Sequence, residues 1–239
     1  MTIEEKYKKD IKKILDISFT HKVSHIPSAL SQMIYFKYLI PKVKDFDWVA
    51  GKQFGWQAYS IYDDRINPDT IDLIILNGKN PEFKYVEETL GNALGVSIGL
   101  ALTQTKPIWL NVSDSIFQMG RVLEALPLLS KFNSNILITV DFNNISRSKK
   151  DLYIPQYISK LTEINNIPVI NISSENPNLQ AIDKLIESSG PRMIVFETIK
   201  GFGVNRFKED PVGWHYKTMS EEEYKEILEE LWESFWLNI

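Results

Sequence analysis

The sequence predicts an α/β fold, a parallel sheet with helices on both faces. Three observations carry this. Short apolar runs bounded by turn residues recur at 108–112, 136–140, 167–170 and 193–196, as expected of strands buried on both sides. Helical stretches separate them, and strands alternating with helices at this spacing build parallel sheets. Finally, Asp114 follows one such run and Asn143 the next, about thirty residues on, the length of one βαβ unit. A carboxylate and an amide placed this way meet at the carboxyl edge of the sheet, where open α/β sheets bind ligands.

Taken in order, residues 3–18 form a helix with Ile11, Ile14, Leu15 and Ile17 on one side and lysines on the other. His25 lies in a short polar turn, and Pro27 and Ser28 open an apolar helix that runs to about Ile40. Residues 46–53 read as a short strand entering a glycine turn, 55–65 as a tyrosine-rich helix, and 80–89 as a polar turn. The stretch 90–102 is helical, with Gly91, Gly95 and Gly99 spaced by four. Each internal glycine costs about 1 kcal/mol against alanine, so close packing within the fold or against a subunit is expected there. After the strand at 108–112 come the turn Ser113-Asp114-Ser115 and a helix beginning near Phe117. Residues 146–151 are a basic loop, 154–164 a short helix and about 178–188 another. Ser220 followed by Glu223 is a capping box that opens the last helix, whose stripe includes Leu228, Leu231, Trp232 and Phe235. One domain spanning 1–239 is the simplest organisation.

Composition excludes several classes. A net charge of −4 with signs well mixed leaves no footprint for nucleic acid. Without cysteine there are neither disulfides nor thiolate metal sites. The charged N-terminal stretch lacks the apolar core of a signal peptide, and no apolar run approaches the roughly 18–20 residues that span a bilayer. A cytoplasmic protein that binds no membrane is the expectation.

Asp114 and Asn143 are hard oxygen donors, suited to Mg2+ or Ca2+ rather than zinc. Two side-chain oxygens do not fill an octahedral shell, which leaves room for a backbone carbonyl, for which Ile145 is placed, a water and two phosphate oxygens. Ser113 and Ser115 can hydrogen-bond a phosphate, and a helix N-terminus beyond them favours negative charge. By residue pattern alone, Asp114 reads as a helix cap, Asn143 as a turn residue and His25 as an ordinary loop histidine.

Several segments, in order from about residue 20 to 230, resemble the diphosphate-binding part of transketolases. VSHIPSALSQMIYFKYL is similar to a GHxGGSLS-type segment, and WVAGKQFGWQAY to LSKGHAAPALY. NPEFKYVEETLGNALGVSIGLAL resembles HPE…GxLGQGLSxAVGxAL. NVSDSIFQMGRVLEA and NILITVDFNNI resemble the two ends of the thiamine-diphosphate motif, GDGELQEGQVWEA and NLIxIVDxNxx. The stretch from Pro191 to Leu231 resembles TxKGKGVxFMExxxxWHxxxxxxEE, with Trp214-His215 intact.

The resemblance implies a thiamine-diphosphate-binding fold and a metal bound by Asp114, Asn143 and the Ile145 carbonyl, with Asn144 a second candidate for the amide. It implies cofactor contacts from Gln53, Gly91, Ser113, Ser115, Ile116, Asn143 and His215, and catalytic roles for His25 and His215. The cofactor would supply a nucleophilic carbon and an electron sink. Four departures stand out: Ser113 and Ser115 replace glycines, Met119 replaces a glutamate of a relay between active sites, and Gln53 and Asn80 replace histidines. A separate pyrimidine-binding subunit would complete the site, in a heterotetramer acting on a small-molecule or carrier-bound substrate. Trp56, Trp232, Phe235 and Trp236 are candidates for that interface. The expected function is a two-component transferase moving a two-carbon ketol or acyl unit. The alternatives are a non-catalytic relative that keeps the fold, or a 2-oxo acid decarboxylase or dehydrogenase component.

Overall fold

The computed structural model describes residues 3–51, 55–63, 66, 83–87, 89–145, 154–174 and 176–233. Among the described residues six strands form one sheet in which every neighbouring pair is parallel. They are β1 (Asp47–Gly51), β2 (Phe83–Val86), β3 (Ile108–Ser113), β4 (Ile136–Phe142), β5 (Val169–Ser173) and β6 (Arg192–Glu197), in the order β2-β1-β3-β4-β6-β5. The described helices are α1 (Ile3–Thr20), α2 (Ile26–Leu39), α3 (Trp56–Ser60), α4 (Asn92–Thr103), α5 (Gly120–Lys131), α6 (Ile154–Ile164), α7 (Leu179–Glu187), α8 (Asn205–Glu209) and α9 (Glu221–Glu233).

Side chains alternate along each strand, so the sheet supplies two cores. Trp48, Trp109, Leu137, Ile194 and Phe196 point to one face, covered by α1, α2, α3, α7, α8 and α9. Val49, Leu110, Val112, Ile138, Val140 and Val195 point to the other, covered by α4, α5 and α6. The expected α/β fold with helices on both faces is what the chain adopts. Helix α2 is buried almost all round, between the sheet and its outer layer. Among the described residues no helix is long and apolar enough to cross a membrane.

Several local expectations are corrected. The polar stretch 80–89 contains β2, an edge strand in which only Phe83 and Val86 are buried while Lys84 is exposed. The helix foreseen near Phe117 begins at Gly120. Residues Asp114–Gln118 wind as a 3-10 turn, and Met119 is extended between the two (φ −90°, ψ 126°). The strand foreseen at 167–170 lies at Val169–Ser173. The helix at 55–65 covers Trp56–Ser60 among the described residues, and Trp56 is a core residue, 6% exposed, rather than an interface one. The glycine ridge divides. Gly91 is the left-handed cap of α4 (φ 93°), whereas Gly95 and Gly99 are exposed, and a Cβ at either would meet open space. Trp232 is 43% exposed, and Phe235 and Trp236 lie outside the described residues.

Candidate functional site

The face of the sheet beneath α2 is polar toward its carboxyl end, and the candidate site stands on that polar floor. Trp109 donates through Nε1 to Thr139 Oγ1 (2.8 Å), and Thr139 donates to Asn111 Oδ1 (2.8 Å). Asn111 Oδ1 also accepts from the Tyr35 hydroxyl (2.9 Å), while its amide donates to Gln32 Oε1 (3.2 Å). Burial, with the Asp141 carboxylate nearby, pushes the Tyr35 hydroxyl well up, so it stays a neutral donor. Asp141, fully buried on β4, accepts from Ser31 of α2 (2.9 Å), from Thr198 just after β6 (2.5 Å) and from the Asn143 amide (3.1 Å). A carboxylate only accepts, so Asn143 must turn Nδ2 toward Asp141 and Oδ1 away from it.

At the carboxyl edge Ser113 and Asp141 are register partners on β3 and β4, so the two following loops are adjacent. Asp114, 1% exposed, accepts from the Asn144 backbone N–H at Oδ2 (2.8 Å) and from Ser115 Oγ at Oδ1 (3.4 Å). Asn143 Oδ1 accepts from the Ile145 N–H (3.1 Å), folding the loop into a tight turn around Asn144, whose φ of 56° is left-handed. Among the described residues the buried Asn144 Oδ1 has no hydrogen-bond partner. Asp114 is thus tied to the loop that carries Asn143, through the backbone N–H of Asn144. Among the described residues no cluster of three His, Cys, Asp or Glu side chains could hold a metal. A cation here would rely on one carboxylate with amide and carbonyl oxygens: Asp114, Asn143 Oδ1, the Ile145 carbonyl, and the unsatisfied Asn144 Oδ1. That hard-oxygen set fits Mg2+ or Ca2+.

The two candidate histidines come together. His25, 5% exposed, caps α2 in the left-handed region (φ 63°) with Nδ1 2.8 Å from Ser24 Oγ. Its ring lies 4.8 Å from that of His215 and 4.9 Å from that of Tyr216, and the latter two are 4.5 Å apart, all edge to face. His215 closes the 3-10 turn Gly213–His215. Lys200 links this ring cluster to the loop after β4: its Nζ is 3.1 Å from His215 Nδ1 and 3.1 Å from the Ile145 carbonyl.

Other foreseen residues take different places. Ile116 is 2% exposed and gives its side chain to the core under α4 and α5, which leaves its backbone for any phosphate. Ser113 ends β3, half-buried, with an extended backbone (φ −95°). Gly91 lies beside Met119 and Arg121, where an added Cβ would stand 3.1 Å from carbons of each. Gln53 and Asn80 lie outside the described residues. Sequence reasoning missed Asp141, Thr198, Ser31, Lys200 and Tyr216. Asp141 stands two residues before Asn143, and that spacing is its signal in the sequence. Nothing local marks Lys200 as buried.

No family model and no curated protein sequence matches the chain. Solved structures do. A transketolase from Leishmania mexicana superposes with a TM-score of 0.68 at 17% identity, covering 97% of this chain and 41% of that one. One from Campylobacter jejuni gives 0.70 at 15% identity, covering 95% and 42%, and a mutant transketolase from Pichia stipitis 0.61 at 14%, covering 99% and 45%. The chain therefore spans less than half the length of these enzymes, and along nearly all of its own length it has a transketolase-like fold.

Proposed function

We propose that this chain is the metal- and diphosphate-binding subunit of a two-component, thiamine-diphosphate-dependent transferase that moves a two-carbon ketol or acyl unit. The observation that carries the reading is the meeting of Asp114 with the 143–145 loop at the carboxyl edge of a transketolase-like sheet. Asp114, Asn143 and the Ile145 carbonyl would hold the cation, with Asn144 Oδ1 in reserve. The Asp114–Gln118 turn offers backbone N–H groups to an anion. Thiamine diphosphate, when bound, supplies the nucleophilic carbon and the electron sink for making and breaking a bond beside a carbonyl. His25 and His215, packed edge to face with Tyr216, give the site two groups that can hold or move a proton on a substrate oxygen. The pyrimidine-binding portion, by this reading, comes from a separate subunit in a heterotetramer.

Calorimetric titration of thiamine diphosphate, with Mg2+ and with or without a candidate pyrimidine-binding partner, tests the proposal. Metal-dependent binding is expected, and Asp114→Ala should abolish it because the diphosphate charge would be left unneutralised. Absence of binding under every partner condition refutes the reading, and unchanged affinity in Asp114→Ala refutes the metal assignment.

A further inference from the structure

Lys200 is 3% exposed on the loop after β6, and lysine is seldom so buried without a task. The loop is fixed at both sides of it. Thr198 donates its N–H to the Phe142 carbonyl (3.0 Å) and its hydroxyl to Asp141, while the Gly201 N–H donates to the Pro27 carbonyl at the start of α2 (2.9 Å). Gly201 itself is left-handed (φ 79°) and pressed against the Phe207 backbone, which anchors the loop directly after Lys200. The ammonium reaches two acceptors on different segments, the Ile145 carbonyl and His215 Nδ1, each 3.1 Å away.

We infer that Lys200 is a positioning residue that sets His215 as a hydrogen-bond donor through Nε2 and aims the Ile145 carbonyl. An ammonium has donors and no acceptor, so the ring nitrogen facing it must present its lone pair. The neutral imidazole then carries its proton on Nε2, the nitrogen turned away from Lys200. The carbonyl has two lone pairs. With one engaged by Lys200, the other keeps a fixed direction for a cation, much as outer partners orient ligands at metal sites. One buried side chain thereby couples the loop after β4 to the histidine pair. The part concerning the cation rests on the function proposed above; the part concerning the His215 proton does not.

The test separates the two. Nitrogen-15 spectra of histidine-labelled protein at a pH where imidazole is neutral report which ring nitrogen carries the proton, and there are three histidines to assign. Wild type is expected to show His215 as the pure Nε2–H form. K200M should relax it to a mixture of tautomers, and K200R, which keeps a donor, should restore the pure form. In parallel, calorimetry with Mg2+ and thiamine diphosphate should show K200M weakened by about 10- to 100-fold and K200R largely rescued. An unchanged His215 tautomer in K200M overturns the inference whatever the affinity. A protonated Nδ1 on neutral His215 in wild type overturns it even if K200M does not fold. Wild type that binds no diphosphate under any condition overturns the proposed function instead, and the tautomer still decides the role of Lys200.

Discussion

Glu87→Gln should stabilise this protein, and by an amount that depends on pH. Glu87 follows β2, is 4% exposed, and accepts from the Ala93 N–H at Oε1 (2.8 Å) at the start of α4. Its other oxygen, Oε2, is buried and among the described residues has no hydrogen-bond partner. Burial pushes this carboxyl up from its ordinary 4.5 to about 7, against the opposing pull of the Ala93, Asn92 and Gly91 amides and of Arg121. The folded state thus holds a proton that the unfolded chain releases between pH 4.5 and 7, so stability is fully present below 4.5 and is lost as pH rises through 7. At about 1.4 kcal/mol per pH unit, the interval from 4.5 to 7 corresponds to about 3 kcal/mol. Glutamine is close in shape to the protonated acid and keeps the acceptor for Ala93. Urea unfolding should show Glu87→Gln more stable than wild type by up to about 3 kcal/mol at pH 8 and by under about 1 kcal/mol at pH 5. A difference of the same size at both pH values would refute the reasoning, because it would come from packing and not from ionisation.

Glycines in two settings should respond in opposite directions. Gly201→Ala meets both a left-handed backbone and the Phe207 carbonyl carbon at 2.7 Å, so a loss of about 3 kcal/mol is expected in denaturant unfolding. Gly95→Ala, exposed within α4 with open space around it, should gain up to about 1 kcal/mol in the isolated chain. If α4 packs closely on a partner, that same variant should weaken assembly in sedimentation experiments while still raising the melting temperature of the free chain. Ser220→Ala removes a reciprocal cap, in which Ser220 Oγ accepts from the Glu223 N–H and Glu223 Oε2 from the Ser220 N–H, each at 3.1 Å. It should cost α9 about 1 kcal/mol, read from helix signal on thermal melting.

The parts of the fold that were legible in the sequence are those where burial is two-sided. Strands β3, β4 and β6 are apolar runs because helices cover both of their faces. Edge strand β2, with Lys84 exposed, and edge strand β5, with Asn171 and Ser173 exposed, read as polar or shifted. The helix start after Asp114 was misplaced because Met119 breaks the 3-10 turn from α5, and no proline or cap residue announces the break. At the site, Asp114 and Asn143 were visible through their positions after two strands. The pairing of His25 with His215 lies 190 residues apart in sequence and had no local signal; only the resemblance placed both at one site. Lys200 stayed silent because a buried lysine in a glycine loop has the same letters as an exposed one.

Asp141 has a consequence beyond orienting an amide. Its two oxygens bind α2 through Ser31, the end of β6 through Thr198, and the loop after β4 through Asn143. A loop tied to the sheet floor by such a knot has little freedom left to surrender when an ion arrives, so its ordering cost is met during folding rather than on binding. Capture of the ion should therefore be governed by desolvation, and any opening or closing of the site must occur in segments that Asp141 does not reach.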